Sequence, residues 1–449
     1  MSVDTVSLTG WGRTSPTAAL RFRPRTYEEA AAVVRGRGPR GVVARGLGRA
    51  HGDAAQNAGG SVLDMTALDR IRSVDAVAGT VVCDAGVSLR RLLATLLPLG
   101  WFLPVTPATG HVTVGGAIGS DVHGRNHRTA GSFARHVRSL ELLTADGEVR
   151  TVLPGTDLFG ATLGGLGLTG VVLSATLGLR PVTTSLMSVD TARAADLDGV
   201  LARLAACGDG TPYAAAWIDL LARGRSTGRG VVTRGEHVPL DALPAHARRT
   251  ALTFRPGPVP SARALVPEGL LGRAPTALLN ELRHRGTPAV RTRQPQRIPA
   301  FFHPLDSAPG WSRGRGRAGS VQYQFTVGHG QEETLHRIVR QLTVRRCPAF
   351  HAVLKRFGES GPGWLSFPAP GWTLSFGLPA GLPGLARLLD VLDEEVAAAG
   401  GRVCLAKDAR LRPGLLAAMY PRLPEFRALR GELDPEGAFR SDLSRRLVL

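Results

Sequence analysis

Lysine is almost missing from this chain. Of its 55 basic residues only Lys355 and Lys407 are lysine; the others are arginine. Arginine is a planar fork that stays charged, whereas lysine is a compact donor whose pKa falls on burial, so it can handle a proton. A chain that writes nearly every cation as arginine is expected to need an ammonium where it keeps lysine. Residual scatter in an arginine-biased composition is the plain alternative. Cysteine is scarce as well. Cys83, Cys207, Cys347 and Cys404 stand far apart with no CxxC, so neither a zinc ribbon nor a disulfide framework is indicated, and reduced thiols fit a cytoplasmic setting. No apolar run approaches the roughly 18–20 residues that span a bilayer, and the N-terminus has no apolar signal core. A cytoplasmic protein is expected, its membrane contact limited to peripheral attachment at the inner face. Aromatic residues make up 5%, which leaves little for a base-stacking surface. The net charge of +19 invites a nucleic-acid reading, but the arginines are dispersed and no nucleic-acid partner is expected. A basic surface still favours anionic partners such as phosphorylated substrates and lipid headgroups.

The 449 residues suggest two or three domains. The first 180 or so residues alternate helix and strand signals. Thr26-Tyr27-Glu28-Glu29 reads as a capping box opening a helix through Val34. Gly41 to Ala44, Ser61 to Met65 and Thr80 to Cys83 read as strands. Ser88 reads as an N-cap, with Leu89, Leu92, Leu93, Leu96 and Leu97 on one helix face. Leu140 to Val152, turning at Asp146-Gly147, predicts a hairpin, and Val171 to Leu179 another strand. The texture then changes. Phe254 to Ala300 and Trp311 to Gly319 are Pro/Arg/Gly-rich and read as structureless lid segments. Val321 to Phe325 and Trp372 to Phe376 read as sheet strands. No internal repeat is evident.

Two motifs carry chemistry. Ala44 to Asp53 follows a predicted strand and places Gly46, Gly48 and Gly52 in a GxGxxxG spacing. Such glycines let successive N–H groups face an anion, forming a nest suited to a pyrophosphate. The spacing is not that of a Rossmann fingerprint, and no helical pattern follows; a plain Gly-rich turn is the alternative. The second motif is Pro107-Ala108-Thr109 followed by Val112 to Gly124, dense in small residues. Small side chains permit close approach by a large flat ligand. His123 and His127 lack a third ligand nearby, so no metal is expected.

Together these loops resemble the flavin-binding fold of the vanillyl-alcohol-oxidase superfamily. The likeness sharpens along the chain. Gly10-Trp11-Gly12-Arg13-Thr14, Arg45 to Asn57, His123 to His127, Ala130 to Phe133, Leu143 to Glu148, Gln322 to Phe325, Ala406-Lys407-Asp408 and Met419 to Arg422 are similar to the decaprenylphosphoryl-β-D-ribose 2′-oxidase family from about residue 9 onward. The resemblance implies a two-domain α+β flavoprotein: an FAD-binding domain over 1–184, a substrate-binding domain with an antiparallel sheet over 185–401, and a segment over 402–449 returning to the FAD domain. It implies FAD held by Arg45, Gly46, Leu47, Gly48, Arg49, Ala50, His51, Gly52 and Asp53, by Thr113, Val114, Gly115 and Gly116, by Ser120, Asp121, Val122 and His123, and by Val172 and Cys404. Relatives with covalent flavin often place a histidine where this chain has Arg49, so non-covalent FAD is implied. His51 replaces an aromatic usual in the family.

The substrate cleft would draw on Trp217, Gln322, Gln324, Lys355 and Ser375, with Lys407 as general base and His123 as orienting group or alternate base. Both lysines land in that cleft. The implied reaction is oxidation of the 2′-hydroxyl of a polyprenylphosphoryl-β-D-ribose to the 2′-keto sugar, the first half of an epimerisation to arabinose. An NAD(P)H-dependent short-chain reductase would be the partner, and the lipid-linked sugar would be met at a membrane surface. Family members trapped by nitroaromatic inhibitors carry cysteine where this chain has Ser375. Phe302, His351 and Thr373 also differ from the commonest residues there. These departures keep open the same chemistry on a nucleoside or sugar phosphate; a flavin-storing, arginine-rich binding protein is the non-enzymatic alternative.

Overall fold

The computed structural model describes residues 2–208, 210–254, 272–304, 306 and 318–449. Thr26 accepts from the Glu29 amide and caps the helix Tyr27–Arg35, while the Glu29 carboxylate reaches back to the Arg25 amide rather than closing the box on Thr26. The buried face of this helix, Ala30, Ala31, Val33 and Val34, packs with Val42 and Leu63 against the first of three main sheets. That sheet holds β1 (Ser2–Leu8), β2 (Thr17–Arg23), β3 (Val42–Arg45) and β4 (Ser61–Asp64) in the order β1-β2-β4-β3. The parallel β3–β4 pair ends where the Gly46 loop begins.

The second sheet holds β5 (Ile71–Asp75), β6 (Thr80–Asp84), β8 (Val137–Leu143), β9 (Val149–Val152) and β10 (Val171–Gly178) in the order β5-β6-β10-β8-β9. The predicted hairpin is β8–β9; Gly147 takes φ +82° at its turn, a conformation that glycine adopts without steric cost. The short β7 (Trp101–Phe102) pairs with β11 (Arg180–Pro181). Ser88 caps the helix Leu89–Leu96, whose Leu89, Leu92, Leu93 and Leu96 are fully buried.

The third sheet is antiparallel throughout. It holds β12 (Leu186–Ala194), β13 (Tyr213–Ile218), β14 (Gly230–His237), β15 (Val290–Arg297), β16 (Ser320–Val327), β17 (Phe350–Phe357), β18 (Gly371–Pro379) and β19 (Arg402–Val403), in the order β15-β12-β14-β13-β17-β18-β16-β19. Its residues alternate between two faces. Tyr323, Phe325, Leu354, Leu374 and Phe376 enter a core shared with Leu335, Ile338, Leu389 and Leu392 of the covering helices. Gln324 stands opposite Ser375 and Lys355 opposite Thr373, so these polar residues share the other face. A second core binds the halves together, since Met187, Val189, Tyr213, Phe301 and Phe302 join Leu92, Phe102 and Leu140. The outcome is the two-domain α+β fold expected.

One expectation fails. Phe254 to Ala300 is not structureless: it contains the helix Arg273–Gly286, strand β15 and the start of the helix Ile298–Phe302. The signal was missed because β15 is an edge strand with a single neighbour, β12, so most of its side chains meet solvent and carry no apolar alternation. The lid reading of 255–271 and 311–317 lies outside the described residues.

Candidate active site

One cavity runs between the Gly46 loop, the Thr113 helix and the polar face of the third sheet. Its backbone wall begins at Gly46. A Cβ there would sit 2.1 Å from Thr113 Oγ1, and one at Gly48, whose φ is +63°, would sit 2.4 Å from the Arg45 guanidinium. Arg45 itself is spent on the Ala55 and Thr9 carbonyls, at 2.8 and 2.7 Å, which ties the loop's ends together. Among the described residues no group accepts from the amides of Gly46, Leu47, Gly48, Arg49 or Ala50. Consecutive unclaimed N–H groups on a curled backbone form an anion nest. Arg49 closes its side, with Nε on the His111 carbonyl at 3.2 Å and its guanidinium 5.1 Å from the Trp11 ring centre.

The second loop enters the helix Val114–Gly119, capped by Thr113 through the Gly116 amide. It leaves through Asp121, held at φ +38° by two buried bonds: Oδ1 accepts from the Ala134 amide at 2.9 Å and Oδ2 from Ser366 at 2.6 Å. That bend points His123, two residues on, toward the sheet. There Lys355 Nζ lies 2.8 Å from His123 Nδ1, and Gln324 Nε2 lies 3.1 Å from His123 Nε2. A neutral imidazole has one N–H. Gln324 Nε2 also donates to Thr373 Oγ1 at 3.0 Å, and Thr373 spends its own proton on the Phe325 carbonyl at 2.8 Å, so the amide keeps its nitrogen toward His123 and His123 Nε2 accepts. The one N–H of the neutral ring then sits on Nδ1 and faces Lys355 Nζ, an amine whose pKa burial lowers well below its ordinary value.

Lys407 arrives on a turn that the flavin-side loop holds from below. The His51 amide donates to the Ala406 carbonyl at 3.0 Å, and a Cβ on Gly52 would stand 1.8 Å from the Asp408 carbonyl. Arg446 grips both segments, bidentate on Asp53 and ion-paired with Asp408 at 2.9 Å. Lys407 Nζ then donates to Ser375 Oγ at 3.1 Å, and Gln322 Nε2 reaches the same oxygen at 2.8 Å. A β-bulge between Phe350 and Val353, with His351 at φ +53°, brings His351 to the cavity wall; bulges often re-aim side chains beside active sites.

The cavity wall carries Arg45, Arg49, His51, His123, His351, Lys355 and Lys407 and no carboxylate among the described residues. Burial lowers the Lys407 pKa, with Cys404 opposing. Burial lowers Lys355 further, aided by the charges of Lys407 and Arg125. His123 is pushed well below its ordinary value by burial and then by the two lysines. An anion entering this cavity would relieve every one of these costs.

Most of the residues named from sequence line this cavity: Arg45 to His51, Thr113, Gly115, Gly116, Ser120, Val122, His123, Val172, Gln322, Gln324, Lys355, Ser375, Cys404 and Lys407. Others stand behind it. Val114 is core, Asp121 shapes the bend, Gly52 and Asp53 anchor the Lys407 turn. Trp217 lies under the Arg283 guanidinium at 4.4 Å and off the cavity wall. Sequence reasoning missed Trp11, Leu166, Gly167, Gly170 and Phe367 as wall residues. The glycine density from Gly164 to Gly170 was the available signal, and Leu166 and Gly167 do take positive φ there.

Comparison with known proteins agrees with this geometry. Residues 18–153 match the family model described as an FAD binding domain. The chain is 53% identical over 373 residues to an uncharacterized protein in the mprA 5′ region of Streptomyces coelicolor, covering 81% of this chain and all of that relative. It is 41% identical to the decaprenylphosphoryl-β-D-ribose oxidase of Mycolicibacterium smegmatis across 99% of this chain and 98% of the relative. An alditol oxidase of a Streptomyces species is 35% identical over 39% of the chain. The anion nest, the glycines that leave it no room for a Cβ, and a wall with no carboxylate among the described residues fit the FAD pyrophosphate. An FAD-dependent oxidoreductase architecture and full-length similarity therefore converge: this chain belongs to the decaprenylphosphoryl-β-D-ribose oxidase family.

Proposed function

We propose that the protein oxidises the 2′-hydroxyl of a polyprenylphosphoryl-β-D-ribose to the 2′-keto sugar, with non-covalently held FAD. The observation that carries the reading is a half-buried amine, Lys407, on a cationic cavity wall with no carboxylate among the described residues. Bound FAD supplies the two-electron acceptor that takes hydride from C2′. The protein handles the proton and the charge. Oxidation releases the hydroxyl proton, and a base is needed whose pKa has moved toward the working pH. His123 is poorly suited: its pKa is pushed well below the ordinary histidine value and its Nδ1 is claimed by Lys355. Lys407 is lowered from the ordinary lysine value and faces the cavity beside Ser375 and Gln322; it accepts the proton. Lys355, with His123 fixing its direction, binds the sugar phosphate or its hydroxyls. The keto product calls for a hydride-donating reductase of the short-chain NAD(P)H class as partner. Arg49 has no free electron pair for a flavin bond, which supports the non-covalent state.

Anaerobic mixing with a short-chain polyprenylphosphoryl ribofuranoside tests the reading. Loss of flavin absorbance with formation of one ketone per flavin supports it. Bleaching only with a nucleoside or a free sugar phosphate would replace the substrate. Flavin that stays with acid-denatured polypeptide would remove the non-covalent claim.

A further inference from the structure

The helix Arg273–Gly286 is built inside out. It meets the protein through polar groups. Asn280 Nδ2 donates to Asp219 Oδ1 at 2.7 Å, the Glu281 carboxylate pairs with Arg229, and His284 Nε2 lies 3.3 Å from the Ala194 carbonyl. Its leucines face away: Leu278, Leu279 and Leu282 are 60%, 42% and 61% exposed. A surface helix ordinarily turns its apolar stripe inward, so this outward stripe is a surface awaiting an apolar environment. The next strand, β15, is a sheet edge and begins with Val290, itself 60% exposed.

Charge accompanies the stripe, on the helix itself and along β15. Arg273, Arg283, Arg285, Arg291, Arg293 and Arg297 are all exposed. The only acidic residue between positions 273 and 297 is Glu281, and it is taken by Arg229 and Arg285. Leucines flanked by arginines suit an interface that is apolar within and anionic at its surface. A second copy of this chain does not: a two-fold contact would set the arginines of one copy against those of the other. The surface also adjoins the cleft. Arg283 covers the Trp217 ring; Trp217 pairs with Val353, which lines the cavity and pairs with Ser375 on the same face of the sheet.

We propose that this face docks on the anionic surface of a lipid bilayer, with Leu278, Leu279 and Leu282 entering the interface and the arginines meeting lipid phosphates. The choice of a bilayer rests on the lipid-linked substrate proposed above; the inverted helix stands independently of it. Docking here sets the cleft beside the surface from which a polyprenylphosphoryl sugar would be drawn, so the lipid chain need not leave the membrane.

The test is flotation of the FAD-loaded full chain with vesicles of equimolar phosphatidylcholine and phosphatidylglycerol, against vesicles of phosphatidylcholine alone. The parent should float with the anionic vesicles only, and salt should weaken binding. The triple variant Leu278→Gln, Leu279→Gln, Leu282→Gln should bind about tenfold or more weakly. Arg291→Gln with Arg293→Gln should lose about tenfold at low salt. Both variants should keep the parent's flavin content and its rate on a water-soluble ribofuranosyl phosphate, which shows that they fold. Parent protein that ignores anionic vesicles, or a triple variant that binds as the parent does, overturns the proposal. So does a parent dimer in solution that the triple variant dissolves while vesicle binding is unchanged. Vesicle binding is read without substrate, so a failed ribofuranoside oxidation with intact flotation removes the substrate reading alone.

Discussion

The two walls of the cavity are made differently. The wall from Arg45 to His51 and Thr113 to Gly116 presents backbone amides, and its essential side chains are absent ones: Gly46 and Gly48 leave space that a Cβ would fill. The opposite wall presents side chains, with Gln322, Gln324, Ser375 and Lys355 from three neighbouring strands and Lys407 from the turn after β19. A backbone wall binds a phosphate by shape and direction and moves no protons. A side-chain wall carries groups whose protonation the surroundings tune. The first therefore suits a resident cofactor and the second a reacting substrate.

The largest effect should come from breaking the side-chain wall alone. Lys407→Arg keeps the positive charge but removes a group able to lose its proton, and flavin reduction by substrate should slow about 10²–10⁴-fold while flavin content stays at the parent's level. Reduction at a near-parent rate would take Lys407 out of the proton step. The same variant should also lose the acid limb of the parent's profile, in which kcat/KM rises with pH as the lowered amine deprotonates.

Breaking the backbone wall should show the reverse signature. In Gly46→Ala the new methyl meets Thr113 Oγ1 at 2.1 Å, so FAD affinity should fall about tenfold or more, by analogy with overpacking in a close-fitted site. Protein reconstituted with saturating FAD should recover much of its rate. Full flavin content on purification would show that the loop yields, and that the nest is not set by this contact.

A smaller effect divides the scaffold. Burial pushes His127 down to about 3 and His237 to about 4, below the roughly 6.5 of an unfolded histidine. Between those values the unfolded chain binds protons that the folded one refuses. Stability is therefore unaffected by these groups above about 6.5 and declines as pH falls below it, by up to about 1.4 kcal/mol per histidine per pH unit. The melting temperature should drop by several degrees from pH 7 to pH 5. His127→Asn retains an acceptor for the Gly358 amide, which His127 Nδ1 now serves at 3.2 Å, without titrating, and should flatten the slope; an unchanged slope would clear His127.

Ser375→Cys should alter turnover least, since Ser375 is a partner of Lys407 rather than a base. It sharpens the comparison chemically. A serine hydroxyl is almost wholly protonated where a thiol, of pKa near 8.5, ionises in part. After turnover with a nitroaromatic that captures cysteine in the family, intact mass should show an adduct on the variant and none on the parent. An adduct on the parent would sink the assignment of Ser375.

Much of the backbone wall could be read directly. Gly46 and Gly48 announce a tight curl wherever the chain goes, and Thr26 and Ser88 announce helix starts, because a cap bonds to an amide three residues away. The two lysines were legible for another reason: against so many arginines, an ammonium is a chemical exception. Partnerships were not legible. Lys355 meets His123 across 232 positions, and Gln324 meets it across 201; such pairs depend on strand register and on how the sheet closes over the loops. Nothing in the run from Arg273 to Arg297 says which side of its helix is buried, since polar anchors at Asp219, Arg229 and Ala194 come from elsewhere in the chain. The sequence by itself determined the curled loops, the capped helices and the scarcity of ammonium groups, all governed by local sterics and residue chemistry. Only the tertiary structure decided which charges share one cavity, how far burial shifts them, and which leucines are left facing outward, because burial and proximity belong to the packed whole.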